Sequence, residues 1–315
     1  MNILFRADSS STIGTGHIMR DLVLAQQYKD SHIIFATQDL KGNINGKIDY
    51  KIVTLKSNAL DELIEVVKEH EIDMVVIDHY EIDWEFEKQL KEKAGVKILS
   101  FDDTYERHCC DFLLNQNIHA KQESYNGLVN QGCYLMCGLE YALIRKEFKD
   151  ARNRCESSEK GIKNILLTLG GADPDNTTLE ILKHIEKMQI CNIKITVVLG
   201  GSNPYINEIK SFVASSKMSI EIVIDAKNMA ELMCSADIAI SAAGSTTIEL
   251  LYMRKPFFAL AIADNQNIVY EALINKGLAW NVLEIDERLQ KLLSNNLIFN
   301  RDIEIATKQV SKETI

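Results

Sequence analysis

A histidine follows a glycine-containing turn near the start of the chain. The stretch FRADSSSTIGTGHIM ends an apolar run and places Gly14, Gly16 and His17 before an amphipathic segment. Glycine lets a ligand approach the backbone, and the free N–H groups at a helix start stabilise an anion such as a phosphate. A neutral imidazole can accept a proton near neutral pH. His17 is therefore a candidate general base, and the alternatives are a phosphate ligand, a core histidine or a helix cap.

Three glycine-containing turns in the second half offer related chemistry. They follow apolar runs and read LGGADPDN, VLGGSNP and SAAGSTTIE. The last one combines backbone amides with hydroxyl groups at a helix start, which suits a diphosphate. Each turn alone is typical of any α/β protein, whereas their recurrence in both halves favours a ligand role. The candidate nucleotide-binding residues of these turns are Gly170, Gly171, Gly244, Ser245 and Thr246.

Two further groups of polar residues could hold a nucleotide sugar. Glu249 lies one turn into the helix after SAAGS, where a carboxylate could accept hydrogen bonds from a ribose diol or stabilise the helix dipole. Asp264, Asn265 and Gln266 stand between an apolar run and a helix. They could hydrogen-bond the hydroxyl or acetamido groups of a sugar, or they could cap the helix.

Polar side chains also end two apolar runs of the first half. Asp78, His79 and Tyr80 follow VVI, and Asp102 and Asp103 follow LSF. Ligands of parallel sheets bind outside the carboxyl ends of the strands, so these residues could line the site. Acids at such positions are also common N-caps of the next helix, and both interpretations stay open.

Several cofactor motifs are missing from the sequence. In GTGHIM, Met19 stands where the dinucleotide fingerprint has its third glycine, which disfavours a dehydrogenase. There is no P-loop lysine-serine pair. His108, Cys109 and Cys110 are metal ligands by type, but three adjacent residues without a matching distant cluster make a poor zinc site. We therefore expect a reaction that uses neither a metal nor a cofactor.

The elements that must position these residues follow from the apolar pattern. Short apolar runs alternate with longer amphipathic stretches, which is typical of a parallel sheet covered by helices. The alternation occurs twice, from NILFRA to DFLLN and from NILLTLGG to PFFALAI, with the polar segment RKEFKDARNRCESSEKG between. The pattern predicts an α/β protein with two Rossmann-like domains facing across a cleft. The expected bounds are 1–145 and 161–300 for the domains, 146–160 for the linker and 301–315 for a tail.

Composition limits the partners and the compartment. The 315 residues include 35 basic and 45 acidic ones, a net charge of -10, with no run of Lys or Arg that would dock nucleic acid or a membrane. No stretch reaches about 18 uninterrupted apolar residues, and the first residues lack a basic region followed by a long apolar one, so we expect neither a membrane span nor a signal peptide. The seven cysteines lack a disulfide framework and are expected to be reduced, which suits the cytoplasm. Nothing marks an oligomer, so a monomer is favoured.

The motifs occur in one order from Met1 to about Lys276. Among them are FRADSSSTIGTGHIMRDLVLA, DHY, LSFDD, CGLEYALIRKEF, LTLGGADP, SAAGSTTIELL and ADNQ. In that order they resemble the PseG family of UDP-sugar hydrolases, itself similar to MurG in the glycosyltransferase-B (GT-B) superfamily. The resemblance implies a GT-B fold with UDP mainly on the second domain. It also implies hydrolysis of UDP-2,4-diacetamido-2,4,6-trideoxy-β-L-altropyranose to UDP and free sugar, in pseudaminic acid biosynthesis for flagellin glycosylation.

The same resemblance implies roles for single residues. His17 matches the family's catalytic histidine, its general base. We expect it to deprotonate a water that attacks the anomeric carbon with inversion. Tyr80 and Asn265 match polar residues near the sugar, and Glu249 matches the acid near the ribose. Three other activities stay open: a glycosyltransferase in which His17 deprotonates an acceptor hydroxyl, a nucleotide-sugar epimerase, and a UDP-sugar sensor without catalysis.

Overall fold

The computed structural model describes residues 1–155, 162–171 and 173–294. The chain folds into two compact units, of which the first ends at Leu143 and the second begins at Ile144. Within the described ranges, no helix is both long enough and apolar enough to cross a membrane. Each unit is a parallel sheet with helices between its strands, and each is described by itself below.

The first unit contains a sheet whose described strands run in the order β3-β2-β1-β4-β5-β6-β7, all pairs parallel. Its strands are β1 Asn2–Ala7, β2 His32–Gln38, β3 Lys51–Leu55, β4 Met74–Asp78, β5 Lys97–Phe101, β6 Phe112–Asn115 and β7 Tyr134–Cys137; its helices are α1 Gly16–Ala25, α2 Leu60–Glu69 and α3 Trp84–Ala94. The last strand, β7, was not among the predicted ones, because four residues after a polar turn carry little periodicity.

Strand β1 lies where the strand order of the first sheet reverses. It pairs with β2 on one side and with β4 on the other, with Ala7 opposite Asp78 at the carboxyl end. Its side chains alternate between two apolar clusters, with Ile3 and Phe5 in one and Leu4 in the other. Such a switch point opens a crevice outside the strand ends, which is the usual ligand site of an open α/β sheet.

The second unit repeats this plan with the described strand order β10-β9-β8-β11-β12-β13. Its strands are β8 Asn164–Thr168, β9 Lys194–Leu199, β10 Ser219–Ile224, β11 Ile238–Ala242, β12 Phe257–Leu260 and β13 Trp280–Asn281; its helices are α4 Lys146–Arg152, α5 Thr177–Lys187, α6 Ile206–Ser215, α7 Met229–Ser235, α8 Thr246–Tyr252, α9 Asn267–Asn275 and α10 Ile285–Ser294. Here the order reverses between β8 and β11, where Thr168 pairs with Ser241. The glycine turns that follow these two strands therefore begin at one crevice.

The segment that we expected to be a linker begins with a helix. α4 buries Phe148 and Ala151 and packs against α7 and α8. Two apolar residues one turn apart give this charged helix a buried face, which the overall polarity of the segment conceals. The rest of the expected linker from 156 to 160, the domain ends at 161 and 295–300, and the tail at 301–315 lie outside the described residues.

The prediction that all cysteines are reduced is wrong for two of them. Cys155, after α4, and Cys234, in α7, form a disulfide with a Cα–Cα distance of 5.1 Å. The packing of α4 on α7 brings together two residues that are 79 positions apart, so no sequence spacing marks the pair. The free cysteines are Cys109, Cys110, Cys133, Cys137 and Cys191.

Candidate active site

The turn after β1 fixes the position of His17. Ser10 and Gly14 exchange backbone hydrogen bonds of 3.2 and 2.9 Å, and Gly14 has a φ of 86°, where a side chain would be strained. Gly16 is the first residue of α1, and a Cβ there would meet no atom within 4 Å. The turn leaves the backbone accessible at Gly16 and places His17 in the first turn of the helix.

His17 is held by a carboxylate from the neighbouring strand. Its Nδ1 lies 2.5 Å from Oδ1 of Asp78, the last residue of β4, and both side chains are buried. Burial alone would raise the pKa of Asp78, but Arg20 and His17 together hold that pKa well below its usual range. An ionised carboxylate only accepts hydrogen bonds, so Nδ1 is the donor. In the neutral ring the lone pair is then on Nε2, the atom that could take a proton from water.

Arg20 binds the same carboxylate from the next turn of α1. Its Nε lies 2.5 Å from Oδ2 of Asp78 and its Nη2 lies 2.5 Å from Oδ1, so the contact is bidentate. Its Nη1 reaches Asp103 at 2.9 and 3.1 Å, and the guanidinium stacks over the ring of Phe101. These two carboxylates overcome burial and raise the pKa of Arg20, which keeps it charged. Arg20 thereby fixes Asp78 against His17.

Tyr80 joins the same cluster from the loop after β4. Its hydroxyl donates to Oδ2 of Asp103 at 3.1 Å, and its ring meets the imidazole of His17 edge-on at a centroid distance of 4.8 Å. Asn117 donates to the other oxygen of Asp103 at 2.7 Å. Tyr80 is 66% exposed, so its ring offers an open surface beside the buried histidine.

Asp21 is a buried acid beside this network. It is fully buried in α1, one helical turn after His17, and neither carboxyl oxygen has a hydrogen-bond partner among the described residues. Burial, reinforced by the charge of Asp78, raises the pKa of Asp21 well above its usual value. Burial thus favours the neutral form of Asp21, whereas Arg20 and His17 favour the anionic form of Asp78.

Two other strand-end residues belong to different networks. Nε2 of His79 lies 3.1 Å from Oδ2 of Asp8, which also pairs with the buried Arg6 at 2.7 Å. Asp102 accepts hydrogen bonds from the backbone N–H of Thr104 and from the Tyr125 hydroxyl, at 2.9 and 2.6 Å. Of the acids that could line the site, Asp78 and Asp103 thus meet His17 and its partner Arg20, whereas Asp102 stabilises its own loop.

The first glycine turn of the second unit is tightly packed. Gly170 has a φ of 86°, and Gly171 follows it after β8. A Cβ at Gly200 would lie 2.5 Å from the carbonyl oxygen and 2.7 Å from Cα of Gly171. Real Cβ atoms do not approach this closely, so the turn after β9 needs glycine to let the two loops touch. The close contact holds Gly170 and Gly171 at the switch point.

The turn after β11 carries the predicted hydroxyl groups. Ser245 precedes α8, and Thr246 is its first residue. The N–H of Gly244 donates to the carbonyl of Ala242 at 2.8 Å, and the Thr247 hydroxyl donates to the Gly244 carbonyl at 2.7 Å. Gly244 is among the expected nucleotide contacts, and its own amide is used within this tight turn.

Glu249 has a partner that the sequence did not suggest. Its Oε1 accepts from Nε of Arg145 at 2.8 Å, and Arg145 also pairs with Glu147 at 2.6 Å. Burial raises the pKa of Glu249, although Arg145 opposes the shift. The carboxylate is therefore an ion-pair acceptor as well as a candidate ribose ligand.

The DNQ segment forms a short 3-10 turn before α9. Asp264 is exposed, and the side chain of Asn265 lies outside the described residues. Oε1 of Gln266 accepts from the backbone N–H of Ile262 at 3.0 Å, and a Cβ at Gly244 would lie 4.0 Å from its Nε2. Gln266 thus connects this segment to the turn after β11.

Sequence reasoning missed four charged or polar residues of these sites. Arg20 and Asp21 could have been found, because they lie one helical turn from His17. Asn117 and Arg145 had no comparable marker, since only the folded chain brings them to Asp103 and Glu249.

Comparison with known proteins finds similarity at the level of sequence and of fold. The model of the glycosyltransferase family 28 C-terminal domain matches residues 165–313. MurG of Acinetobacter baumannii superposes with a TM-score of 0.66 at 14% identity, covering 99% of this chain and 96% of that one. UDP-GlcNAc 2-epimerase of Neisseria meningitidis, solved with UDP-GlcNAc, gives 0.57 at 14% identity, covering 100% and 95%. The predicted GT-B fold class is confirmed.

A curated relative is much more similar in sequence. It is the Campylobacter jejuni protein named UDP-2,4-diacetamido-2,4,6-trideoxy-β-L-altropyranose hydrolase, 40% identical over 277 residues. The matched region covers 88% of this chain and 97% of the relative, so it includes both parallel sheets. The chain belongs to the family of UDP-2,4-diacetamido-2,4,6-trideoxy-β-L-altropyranose hydrolases.

Proposed function

We propose that this protein hydrolyses UDP-2,4-diacetamido-2,4,6-trideoxy-β-L-altropyranose to UDP and the free sugar, as a step of pseudaminic acid biosynthesis. The substrate is taken from the name of the Campylobacter jejuni relative. The observation that carries the chemistry is the 2.5 Å contact between His17 and Asp78. It orients the ring so that Nε2 is the basic atom, which is the arrangement that a general base requires.

The proposed reaction is a single displacement at the anomeric carbon. Nε2 of His17 removes a proton from water while the water oxygen bonds to the anomeric carbon, on the face opposite UDP. The bond between that carbon and the diphosphate oxygen breaks, its electron pair leaves with UDP, and the configuration inverts. Asp78 stabilises the imidazolium that forms, while Arg20 keeps the carboxylate in place.

The second unit supplies nucleotide binding in this proposal. The turns at Gly170, Gly171, Ser245 and Thr246 offer backbone and hydroxyl donors to the diphosphate, and Glu249 accepts from the ribose hydroxyls. Tyr80, Gln266, Asp264 and Asn265 are the proposed contacts of the sugar. The leaving diphosphate is already a stable anion, so the proposed reaction is independent of metal and cofactor.

Hydrolysis in ¹⁸O-labelled water tests the proposal. The purified protein is incubated with the UDP-sugar alone, and both products are examined by mass spectrometry. Label in the free sugar is expected, because water attacks carbon. Label in UDP would mean attack at phosphorus and would contradict the mechanism. Turnover that begins only when an acceptor is added would assign a glycosyltransferase, and conversion to an isomeric UDP-sugar would assign an epimerase.

A further inference from the structure

Two cysteines of the first unit lie close together without a bond. The sulfur atoms of Cys110 and Cys133 are 3.6 Å apart. Cys110 is buried just before β6, whereas Cys133 is half-buried just before β7. The N–H of Tyr134 donates to the carbonyl of Asp111 at 2.8 Å, which fixes the two segments side by side. The pair is therefore held by the sheet and needs only a shift of the sulfur atoms to reach bonding distance.

A histidine whose pKa is raised lies two residues before Cys110. Nδ1 of His108 lies 2.8 Å from Oε1 of Glu87, a fully buried carboxylate that also accepts from the Ser100 hydroxyl and the Cys109 N–H. Burial lowers the pKa of His108, but the bond to Glu87 and its charge outweigh burial and raise it. Nε2 of His108 has no partner within the described part of the chain. The Glu87 carboxylate thus favours protonation of this ring, and a protonated ring favours the thiolate of Cys133.

The two sulfur atoms differ in character. The hydrogen bond with Cys110 is the largest influence on Cys133 and lowers its pKa; burial and Asp111 oppose this shift, and His108 and Lys91 assist it. The bond to Cys133 and burial raise the pKa of Cys110, which stays a thiol. Cys133 is thus both the more exposed sulfur and the one whose pKa is lowered, whereas Cys110 is buried. An attacking and a resolving thiol of a redox pair have these two properties.

We propose that Cys110 and Cys133 form an oxidisable dithiol site whose substrate class is hydroperoxides, with Cys133 attacking and Cys110 resolving. The Cys133 thiolate bonds to one oxygen of hydrogen peroxide, the O–O bond breaks, and hydroxide leaves, which gives a sulfenic acid. The Cys110 sulfur then bonds to the Cys133 sulfur and the S–O bond breaks. The hydroxide released in this step takes the Cys110 proton and leaves as water. The hydroxide released in the first step takes up the proton that Cys133 lost on ionisation. Overall, two thiols are oxidised to a disulfide and one peroxide is reduced to two waters.

Peptide mass spectrometry after peroxide treatment tests the site. The protein is treated with hydrogen peroxide, its remaining thiols are blocked with N-ethylmaleimide, and it is digested with trypsin without reduction. Because Lys121 lies between the two cysteines, their peptides separate unless a disulfide joins them. The expected product is a linked pair, two hydrogen atoms lighter than the sum of the two peptides. A wild-type protein that forms no linked pair overturns the proposal.

Variants assign the two sulfur atoms. The link is expected to persist in the control Cys109→Ser and to disappear in Cys133→Ser and Cys110→Ser. In Cys110→Ser, dimedone should trap a sulfenic acid on Cys133, because the resolving thiol is gone. A link that survives in Cys133→Ser would contradict the assignment.

Comparing the oxidation rates of two cysteines of the same wild-type protein gives a test that does not depend on whether a variant folds. Cys191 is exposed, far along the chain in the second unit, and serves as an internal reference. Cys133 should be oxidised about tenfold faster than Cys191 despite its lower exposure, because the thiolate is the reactive form. His108→Gln should remove most of this difference. Faster oxidation of Cys191 than of Cys133 in the wild-type protein would overturn the proposal, whatever the result for UDP-sugar hydrolysis.

Discussion

The switch points of the two sheets are made of different chemical groups. Outside β1 and β4 of the first sheet, charged side chains hold one another around His17, and Arg20 binds both Asp78 and Asp103. Outside β8 and β11 of the second sheet, glycines and hydroxyl residues dominate, and loop backbones touch at Gly171 and Gly200. The same topology thus carries a fixed ring nitrogen in one unit and a set of backbone donors in the other.

Under the proposed function, this difference suits one sheet plan to two tasks. A proton acceptor must point one atom in one direction, and the buried ion pairs of the first unit fix that direction because each charge needs its partners. A diphosphate instead needs many donors that carry no charge of their own, which glycine turns and helix starts provide. We therefore expect changes in the first unit to affect the chemical step and changes in the second to affect binding.

The largest expected effect comes from removing the ring nitrogen. His17→Asn retains an N–H that can donate to Asp78 but has no base in place of Nε2. We expect kcat to fall by about 10²–10⁴-fold, because general base catalysis contributes that much. The dissociation constant of UDP, measured by calorimetry, should stay nearly unchanged. His32→Asn, at an exposed position of the same unit, is the control. Loss of UDP affinity with unchanged kcat would make His17 a phosphate ligand instead.

A change of Asp78, the carboxylate that orients His17, should have the next largest effect on kcat. In Asp78→Asn the side chain has one acceptor oxygen for two donors, His17 and Arg20, and it no longer stabilises an imidazolium. We expect kcat to fall by roughly 10²-fold with little change in KM, since the charge matters when the proton has moved. Asp102→Asn is a matched control one loop away, outside the His17 network. An equal loss of kcat in both variants would indicate a general structural effect.

Acid should destabilise the first unit more than the second. The pKa values of Asp78 and Asp8 are held far below the unfolded value by Arg20 with His17 and by His79 with Arg6, although burial alone would raise them. The stabilisation that these two carboxylates contribute is therefore present above about pH 4 and is lost as the pH falls below it. Between pH 4 and 2.5, the free energy of unfolding should fall by about 1–2 kcal/mol for each carboxyl. The pKa values of Asp21 and Glu249 are raised instead. Their contribution to the free energy of unfolding is present at low pH and is lost as the pH rises above 4.

The two tryptophans separate the units in this measurement. Trp84 lies in α3 of the first unit and Trp280 in β13 of the second. The single variant Trp280→Phe therefore keeps a fluorescent probe only in the first unit, and Trp84→Phe keeps one only in the second. Urea unfolding at pH 4 and pH 2.5 should show the larger loss of unfolding free energy at Trp84. A larger loss at Trp280 would reverse the comparison.

The sequence predicted the scaffold better than the contacts within it. Apolar alternation indicated both parallel sheets, and the glycine turn identified His17 as a candidate base. The short strands β7 and β13 carry too few residues for a period, so neither was expected. The charged segment around Phe148 concealed a helix, because only two of its side chains are buried.

Pairing between distant side chains was the part that the sequence could not provide. Asp78 meets His17 because β4 lies beside β1, which is a property of strand order and not of spacing. The bond between Arg145 and Glu249 joins residues about a hundred positions apart, and the disulfide of Cys155 arises in the same way. The sequence could therefore name the strand-end acids as candidates. It could not tell that Asp103 lies at the site and that Asp102 lies away from it.

A smaller effect is expected where the loops of the second unit touch. In Gly200→Ala the new Cβ would collide with the backbone of Gly171, which must shift, so we expect a loss of about 1–3 kcal/mol in unfolding free energy. Trp280 fluorescence during urea unfolding measures it. Gly46→Ala in the first unit is the control, since a Cβ there meets no atom within 4 Å. Equal stability of the two variants would show that the close approach of the loops is not required.

The smallest expected effect concerns the ribose and distinguishes binding from catalysis. Glu249→Gln keeps the shape of the side chain but removes the charge that Arg145 holds in place. A hydrogen bond to a charged group contributes about 1.5–3 kcal/mol and one to a neutral group about 0.5–1.5 kcal/mol. The difference of about 1.4 kcal/mol should raise the dissociation constant of UDP roughly tenfold. The preference for UDP over 2′-deoxy-UDP should fall with it, because in the proposed function the Glu249 carboxylate accepts from the ribose hydroxyls and the amide is a weaker acceptor. With saturating substrate, kcat should stay within about twofold, since uniform binding lowers KM without raising kcat. Glu271→Gln on the exposed face of α9 is the matched control. A variant of Glu249 that loses kcat while its UDP affinity holds would place catalysis in the second unit as well, and the division of tasks between the two switch points would be wrong.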